Sequence, residues 1–294
     1  MLIELKNGDI TGVVDTFGGE LISFMDKEGT KYLWEGDEAF WTGRSPHLFP
    51  IIGTLKDGFV LIKEREFSLN KHGFARNSEF EIIESSENEV TLLLKSSENT
   101  KEFYPYQFSF FVTHTLTEKG FTTTYRILNN DNETMYFNIG GHVGVRCPIN
   151  PDESFDNYQI EFNNKLSNDC YFPHDDSPIN KESAIPFFRN ENILNLSHTL
   201  FEKGPIIIDK INSHKLKLVN KKSKKGILFS FDDFPVLALW TFGQKKAPYI
   251  CLEPWHGLPA MEDDKCEISK KPYAIAVEPK KDKSLTYSLE LIAP

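Results

Sequence analysis

An all-β chain, folded as a large antiparallel sandwich or barrel, is predicted from three observations. Apolar and polar residues alternate with a period of two along many short runs, and turn residues separate those runs. No capped amphipathic helix of normal length occurs, and the 24 phenylalanines fit strand faces packed on one another.

The elements follow in order. Residues 2–5 and 10–14 flank the turn Asn7-Gly8-Asp9, and Phe17-Gly18-Gly19 breaks the next run. Residues 79–83, 89–95, 108–116, 120–128 and 285–292 repeat the strand pattern, while Glu118-Lys119-Gly120 and Asn129-Asn130-Asp131-Asn132 read as hairpin turns. Residues 148–200, rich in Asn, Asp, Ser and Pro, read as long surface loops with at most a short helical turn. Six lysines between 215 and 225 bracket Leu216, Leu218 and Val219, which makes a solvated hairpin with gatekeeper charges the expected structure. No linker, repeat or composition shift divides the chain, so residues 1–294 are expected to form a single domain.

Charge and composition exclude several functions. With 33 basic against 43 acidic residues the net charge is -10, the wrong sign for a partner of the nucleic-acid backbone. No run approaches a membrane span and the first residues lack a signal-peptide pattern, so a cytoplasmic protein is expected. Cys147, Cys170, Cys251 and Cys266 are scattered without CxxC spacing and read as reduced thiols. The eight histidines contain no HxH or HExxH pair, so neither a metal nor another cofactor is expected.

Four stretches carry possible chemistry. Ile250-Cys251-Leu252-Glu253-Pro254-Trp255-His256-Gly257 delivers a carboxylate from an apolar strand, and Pro254 suggests that Glu253 sits at the strand terminus. An acid placed there is a candidate for proton transfer, or else a strand-end Glu in a structural ion pair. In Asn138-Ile139-Gly140-Gly141-His142-Val143-Gly144, glycines around His142 would let a ligand approach the backbone, the bland reading being a core histidine. Lys71-His72-Gly73-Phe74-Ala75-Arg76-Asn77 places His72 and Arg76 just before a strand, within reach of a common pocket, unless they are turn charges. The loop from Trp41 to Gly53 adds Arg44, His47 and two prolines. Two histidines and a glutamate on separate strands suggest acid–base chemistry on a small polar molecule.

The phrases SPHLFPIIGTL, KHGFARNSEF, NIGGHVGVRCP and APYICLEPWHG, in this order, resemble the aldose 1-epimerase (mutarotase) superfamily and are most similar to its LacX-type branch. The resemblance implies a galactose mutarotase-like β-supersandwich with a hexose pocket. It implies Glu253 as general base, His142 as general acid and His72 as a contact near the ring oxygen. Asp209 is similar to an aspartate that holds sugar hydroxyls, and Arg44, Arg76 and Trp255 are the further candidate sugar contacts. Relatives often read FPxxGRL where this chain has Phe49-Pro50-Ile51-Ile52-Gly53-Thr54-Leu55, so Thr54 stands where an arginine would be.

The implied reaction is interconversion of the α and β anomers of a hexose. Glu253 takes the C1 hydroxyl proton, a protonated His142 gives one to the ring oxygen, and the ring recloses after rotation about C1–C2. Thr54 and the net charge favour a neutral hexose, whereas basic side chains converging at the pocket mouth would indicate a hexose 6-phosphate. A non-catalytic sugar-binding module on the same fold is the alternative from another class. Glycoside hydrolysis ranks last, because Glu253 has no second carboxylate in a comparable stretch. Oligomeric state is open.

Overall fold

The structure is a computed structural model that describes residues 1–173 and 177–292. Alternation along the strands sorts residues between two faces. Within Phe108–Leu116 and Gly120–Asn129, Phe110, Val112, Tyr125 and Ile127 turn inward and are buried. On the opposite face threonines hydrogen-bond across strands, Thr91 to Thr113 at 2.9 Å and Thr124 to Thr286 at 3.1 Å.

Among the described residues two large antiparallel sheets dominate. The nine-stranded sheet runs through Glu191–Asn195, Tyr158–Leu166, Lys215–Asn220, Gly226–Ser230, Asp282–Ile292, Gly120–Asn129, Phe108–Leu116, Glu89–Lys95 and Glu81–Ser85. The eight-stranded sheet runs through Ile185–Pro186, Asp169–Tyr171, Ile206–Ile208, Val236–Trp240, Tyr249–His256, Ile139–Gly141 and His47–Leu48, with Val143–Arg146 also paired to Tyr249–His256. One apolar cluster, reaching from Leu5 to Leu289, joins Phe110, Tyr125 and Tyr287 of the first sheet to Ile208, Leu239 and Leu252 of the second. The other face of the eight-stranded sheet carries Ile207, Ala238 and Trp255 in one smaller cluster and Tyr249 and Cys251 in another. That outer face, covered by loops, holds the candidate site.

Two expectations are corrected. Residues 148–200, expected as loops, contain the strands Tyr158–Leu166, Asp169–Tyr171, Ile185–Pro186 and Glu191–Asn195; positions 174–176 of this stretch lie outside the described residues. Tyr158, Ile160, Phe162 and Leu166 do alternate inward, but the outward residues include Asn163 and Asn164, whose turn-like composition hides the strand. The turn at residues 129–132 is not a hairpin: the next strand, Met135–Phe137, pairs with Ile275–Val277 in a separate sheet. Buried Asn129 is the reason, because its side-chain amide donates to the carbonyls of Glu133 and Val277, both at 2.8 Å, and ties the chain to that second pair. The hairpins at 118–120 and 215–225 form as expected.

Two buried histidines lie between the sheets. The Nε2 atoms of His47 and His114 both hydrogen-bond to the carbonyl of Gly19 at 2.8 Å, and their rings stack at 5.7 Å. Tyr125 Oη and Thr123 Oγ1 occupy the Nδ1 sides. Burial, with repulsion from His114, pulls His47 down to about 3, and burial pulls His114 down to about 4. Both folded values lie below the unfolded value near 6.5, so their contribution is intact above that pH and is lost as pH falls from about 6.5 toward 4. Each histidine is expected to add about 1.4 kcal/mol per pH unit to the slope. Urea midpoints at pH 7 and pH 5 test this: a His114→Gln variant with the same pH slope as the parent would contradict it.

Candidate active site

The strand Tyr249–His256 sits inside the eight-stranded sheet, paired with Val236–Trp240 on one side and with Ile139–Gly141 and Val143–Arg146 on the other. Its alternation points Ile250 and Leu252 into the main core and Tyr249, Cys251, Glu253 and Trp255 toward the outer face. Glu253 is therefore not at a strand terminus, which corrects the reading of Pro254. The ladder stops at Gly140↔Trp255 and resumes at Val143↔Leu252, so the missing N–H of Pro254 falls where the partner strand makes no ladder pair.

The register is the same on both sides of that gap, which sets His142 opposite Glu253. Their side chains meet, His142 Nε2 to Glu253 Oε2 at 3.2 Å, as directly opposed cross-strand residues do. The flanking glycines serve neighbouring side chains, a second correction. A Cβ on Gly140 would lie 2.6 Å from Trp255 Cδ1, and one on Gly144 would lie 2.8 Å from the Arg44 carbonyl and 3.0 Å from Trp34 Cβ. Without side chains at 140 and 144, the tryptophans close in beside His142.

His72 arrives from a separate loop in the left-handed region, at φ 67°. That conformation is uncommon for a residue with a Cβ, and here it is held by the His72 amide on the Gly53 carbonyl at 2.8 Å. The Gly53 N–H in turn donates to His72 Nδ1 at 3.0 Å, which fixes the tautomer with the proton on Nε2. Gly73 must be glycine, since a Cβ there would stand 2.1 Å from the Phe49 carbonyl oxygen. Burial, reinforced by His142, holds the His72 imidazole well below its ordinary value and neutral.

These groups line one cavity of about 350 Å³. Of the predicted residues, Glu253, His142, His72, Arg76 and Trp255 line it, whereas Arg44 and Asp209 do not. Arg44 turns back to the carbonyl of Glu35 at 3.0 Å, and Asp209 accepts a hydrogen bond from Tyr273. Of the two candidate arginines, Arg76 lines the cavity, and it makes no side-chain hydrogen bond or ion pair among the described residues. The lining also includes Thr54, marked above as the replaced arginine, and Lys71, Trp41 and Trp240, which sequence reasoning did not single out. Lys71 and Trp41 lie inside the marked stretches, beside His72 and just before Arg44. Trp41 lies tilted against the His142 ring at 4.8 Å and 35°, and Trp240 meets the same ring edge-on at 5.8 Å. His142 Nδ1, by contrast, is buried with no hydrogen-bond partner among the described residues.

Burial dominates the electrostatics. It pushes Glu253 well above the ordinary carboxylate value, with Lys71 and Arg76 pulling back, and it pulls His142 down to about 3, with Arg76 and Lys71 adding to that. Burial thus favours the uncharged pair, a carboxylic acid beside a neutral imidazole, over the imidazolium and carboxylate of the implied mechanism. The two forms carry the same single proton and differ only in which end of the 3.2 Å contact holds it.

The fold defines the class, a galactose mutarotase-like antiparallel β-sandwich. A galactose mutarotase related enzyme from Lactobacillus acidophilus superposes with a TM-score of 0.92 at 26% identity, covering 100% of this chain and 98% of that one. A galactose mutarotase-like protein from Lactobacillus casei ATCC 334 does so with 0.91 at 27% identity, covering 99% and 100%. The chain belongs to the aldose 1-epimerase family, whose sequence model matches residues 1–271. It is also 35% identical, over 99% of its length and 100% of theirs, to the plasmid and chromosomal LacX proteins of Lactococcus lactis subsp. lactis. Membership in a family of sugar epimerases implies a sugar substrate, and no helix among the described residues is long and apolar enough to cross a membrane.

Proposed function

We propose that the protein is a single-domain enzyme that interconverts the α and β anomers of a hexose, and that Glu253 and His142 move the protons. The observation that carries this reading is the direct 3.2 Å contact between a buried carboxyl and a buried imidazole on a sugar-sized cavity. Opening a cyclic hemiacetal removes a proton from the C1 hydroxyl and adds one to the ring oxygen. Both oxygens are bonded to the same carbon, so an acid and a base that touch can reach both. The pair gives one proton and receives one, and its total is unchanged across ring opening.

In the reacting form His142 holds the proton and Glu253 the charge. Lys71 and Arg76 favour that carboxylate, and bound sugar hydroxyls replace the hydration that burial removed. His72, neutral with its Nε2–H free to donate, is suited to hold the ring oxygen or a hydroxyl. No cofactor takes part in these steps. The main cluster running from Leu5 to Leu289 supports a single domain.

A second reading, a hexose 6-phosphate, is favoured by one observation: two basic side chains, Lys71 and Arg76, line the cavity. Both act on Glu253 and His142, so their charge is at least partly engaged at the anomeric end, and a neutral hexose remains the first choice. Optical rotation of freshly dissolved α-glucose, α-galactose and their 6-phosphates decides. Free hexoses should equilibrate faster with the protein than without it. Acceleration of the phosphates alone, abolished in Arg76→Ala, would select the second reading, and acceleration of none would select a binding module.

A further inference from the structure

We propose that His142, Cys251 and Glu253 form a site for a thiophilic divalent cation of the zinc type, and that its occupation blocks the acid–base pair. The inference goes beyond the epimerase reading, since the site exists whether or not the protein turns over sugar. One ligand atom from each residue lies within 4.8 Å of the others, and His142 Nε2 and Glu253 Oε2 are already 3.2 Å apart.

The sheet explains why the three converge. Cys251 and Glu253 are alternate residues on the outer face of one strand, and Cys251 pairs with Gly144 on the neighbouring strand. Gly144 has no side chain to stand between the Cys251 thiol and the His142 ring, two residues away. The His142 side chain, 10% exposed, also keeps its Nδ1 buried without a hydrogen-bond partner among the described residues, so no second hydrogen bond of the fold holds this ring away from a ligand at Nε2.

Donor chemistry selects the ion. One thiolate, one imidazole and one carboxylate suit zinc and its relatives, whereas magnesium and calcium want oxygen-rich sites. A thiolate and a carboxylate also neutralise a divalent charge, and the Cys251 thiol gives up its proton when the metal binds. The fourth tetrahedral position would open toward the cavity. Lys71 and Arg76 face the same space and oppose the cation, which limits the affinity. Once ligated, His142 has no lone pair left at the metal-bound nitrogen to carry a proton, and the cation lowers the basicity of Glu253. The ion is therefore an inhibitor, consistent with the expectation that the reaction needs no metal.

The test uses the full-length protein titrated with Cd2+, whose bond to a thiolate gives an ultraviolet charge-transfer band, followed by Zn2+ as competitor. One equivalent of band is expected, displaced by Zn2+ and absent in both Cys251→Ser and Cys251→Ala. Zinc should inhibit anomerisation by the parent, with EDTA restoring the rate, while Cys251→Ser keeps its metal-free activity and loses at least tenfold in zinc sensitivity. No band, or a band that survives in a folded Cys251 variant, would overturn the proposal. The band does not depend on turnover, so an inactive protein would defeat the epimerase reading and leave this one to be decided.

Discussion

Glu253→Gln is expected to slow anomer interconversion by about a hundredfold or more, and His142→Ala by a similar factor, as befits loss of a proton-transfer group. Gln keeps the size and the hydrogen bonding of Glu253 but cannot accept the hydroxyl proton, so the fold should survive and circular dichroism should be unchanged. His142→Ala removes the partner at 3.2 Å and leaves a buried carboxyl alone, which drives it further toward its protonated, inactive form. Because the pair shares one proton, the double variant should lose little more than the worse single one. A folded variant with a near-parental rate would remove that residue from the mechanism, and fully additive losses would mean that the two act independently.

Phe49→Ala should cost about 3–5 kcal/mol of stability, the range for truncating a fully buried aromatic residue. Phe49 has no exposed surface and its ring lies 5.0–5.9 Å from those of Phe110, Phe108, Phe137, Tyr104 and Phe74. A cavity there would be lined by rigid rings from several strands, which cannot collapse to fill it. The backbone of the same residue accepts the Phe74 amide at 3.0 Å and donates its own amide to the His72 carbonyl, and alanine keeps both groups, so the loss should fall on the core rather than on the His72 loop. Urea unfolding measures the effect, and a change below about 1.5 kcal/mol would show that the core repacks around the gap.

The strands were largely legible because a period of two survives wherever one face is buried and the other solvated. It failed at Asn163 and Asn164, where turn-forming residues sit inside a strand. The catalytic candidates were found through short motifs, and the structure brings Glu253, His142, His72, Arg76 and Trp255 to one cavity. Pro254 misled because the rule about proline in sheets concerns the ladder, and no local pattern reveals that the partner strand has a gap opposite it. Trp41 and Lys71 lay in marked stretches, but their reach into the cavity depends on how loops fold over the outer face. Arg44 and Asp209 were drawn away by nearby partners, the Glu35 carbonyl and Tyr273, that spacing along the chain does not announce.

The opposition of His142 and Glu253 through strand register makes the site depend on parity. Inserting or deleting one residue in Tyr249–His256 ahead of Glu253, with the ladder otherwise intact, would not stretch the pair but invert it. The carboxyl would turn into the apolar cluster beside Ile250's neighbours, and Leu252 or Pro254 would take its place facing the cavity. An insertion of two residues would restore the facing but offset the partners along the sheet. Length changes that surface loops absorb are thus closed to these two segments, however well the sheet tolerates substitution.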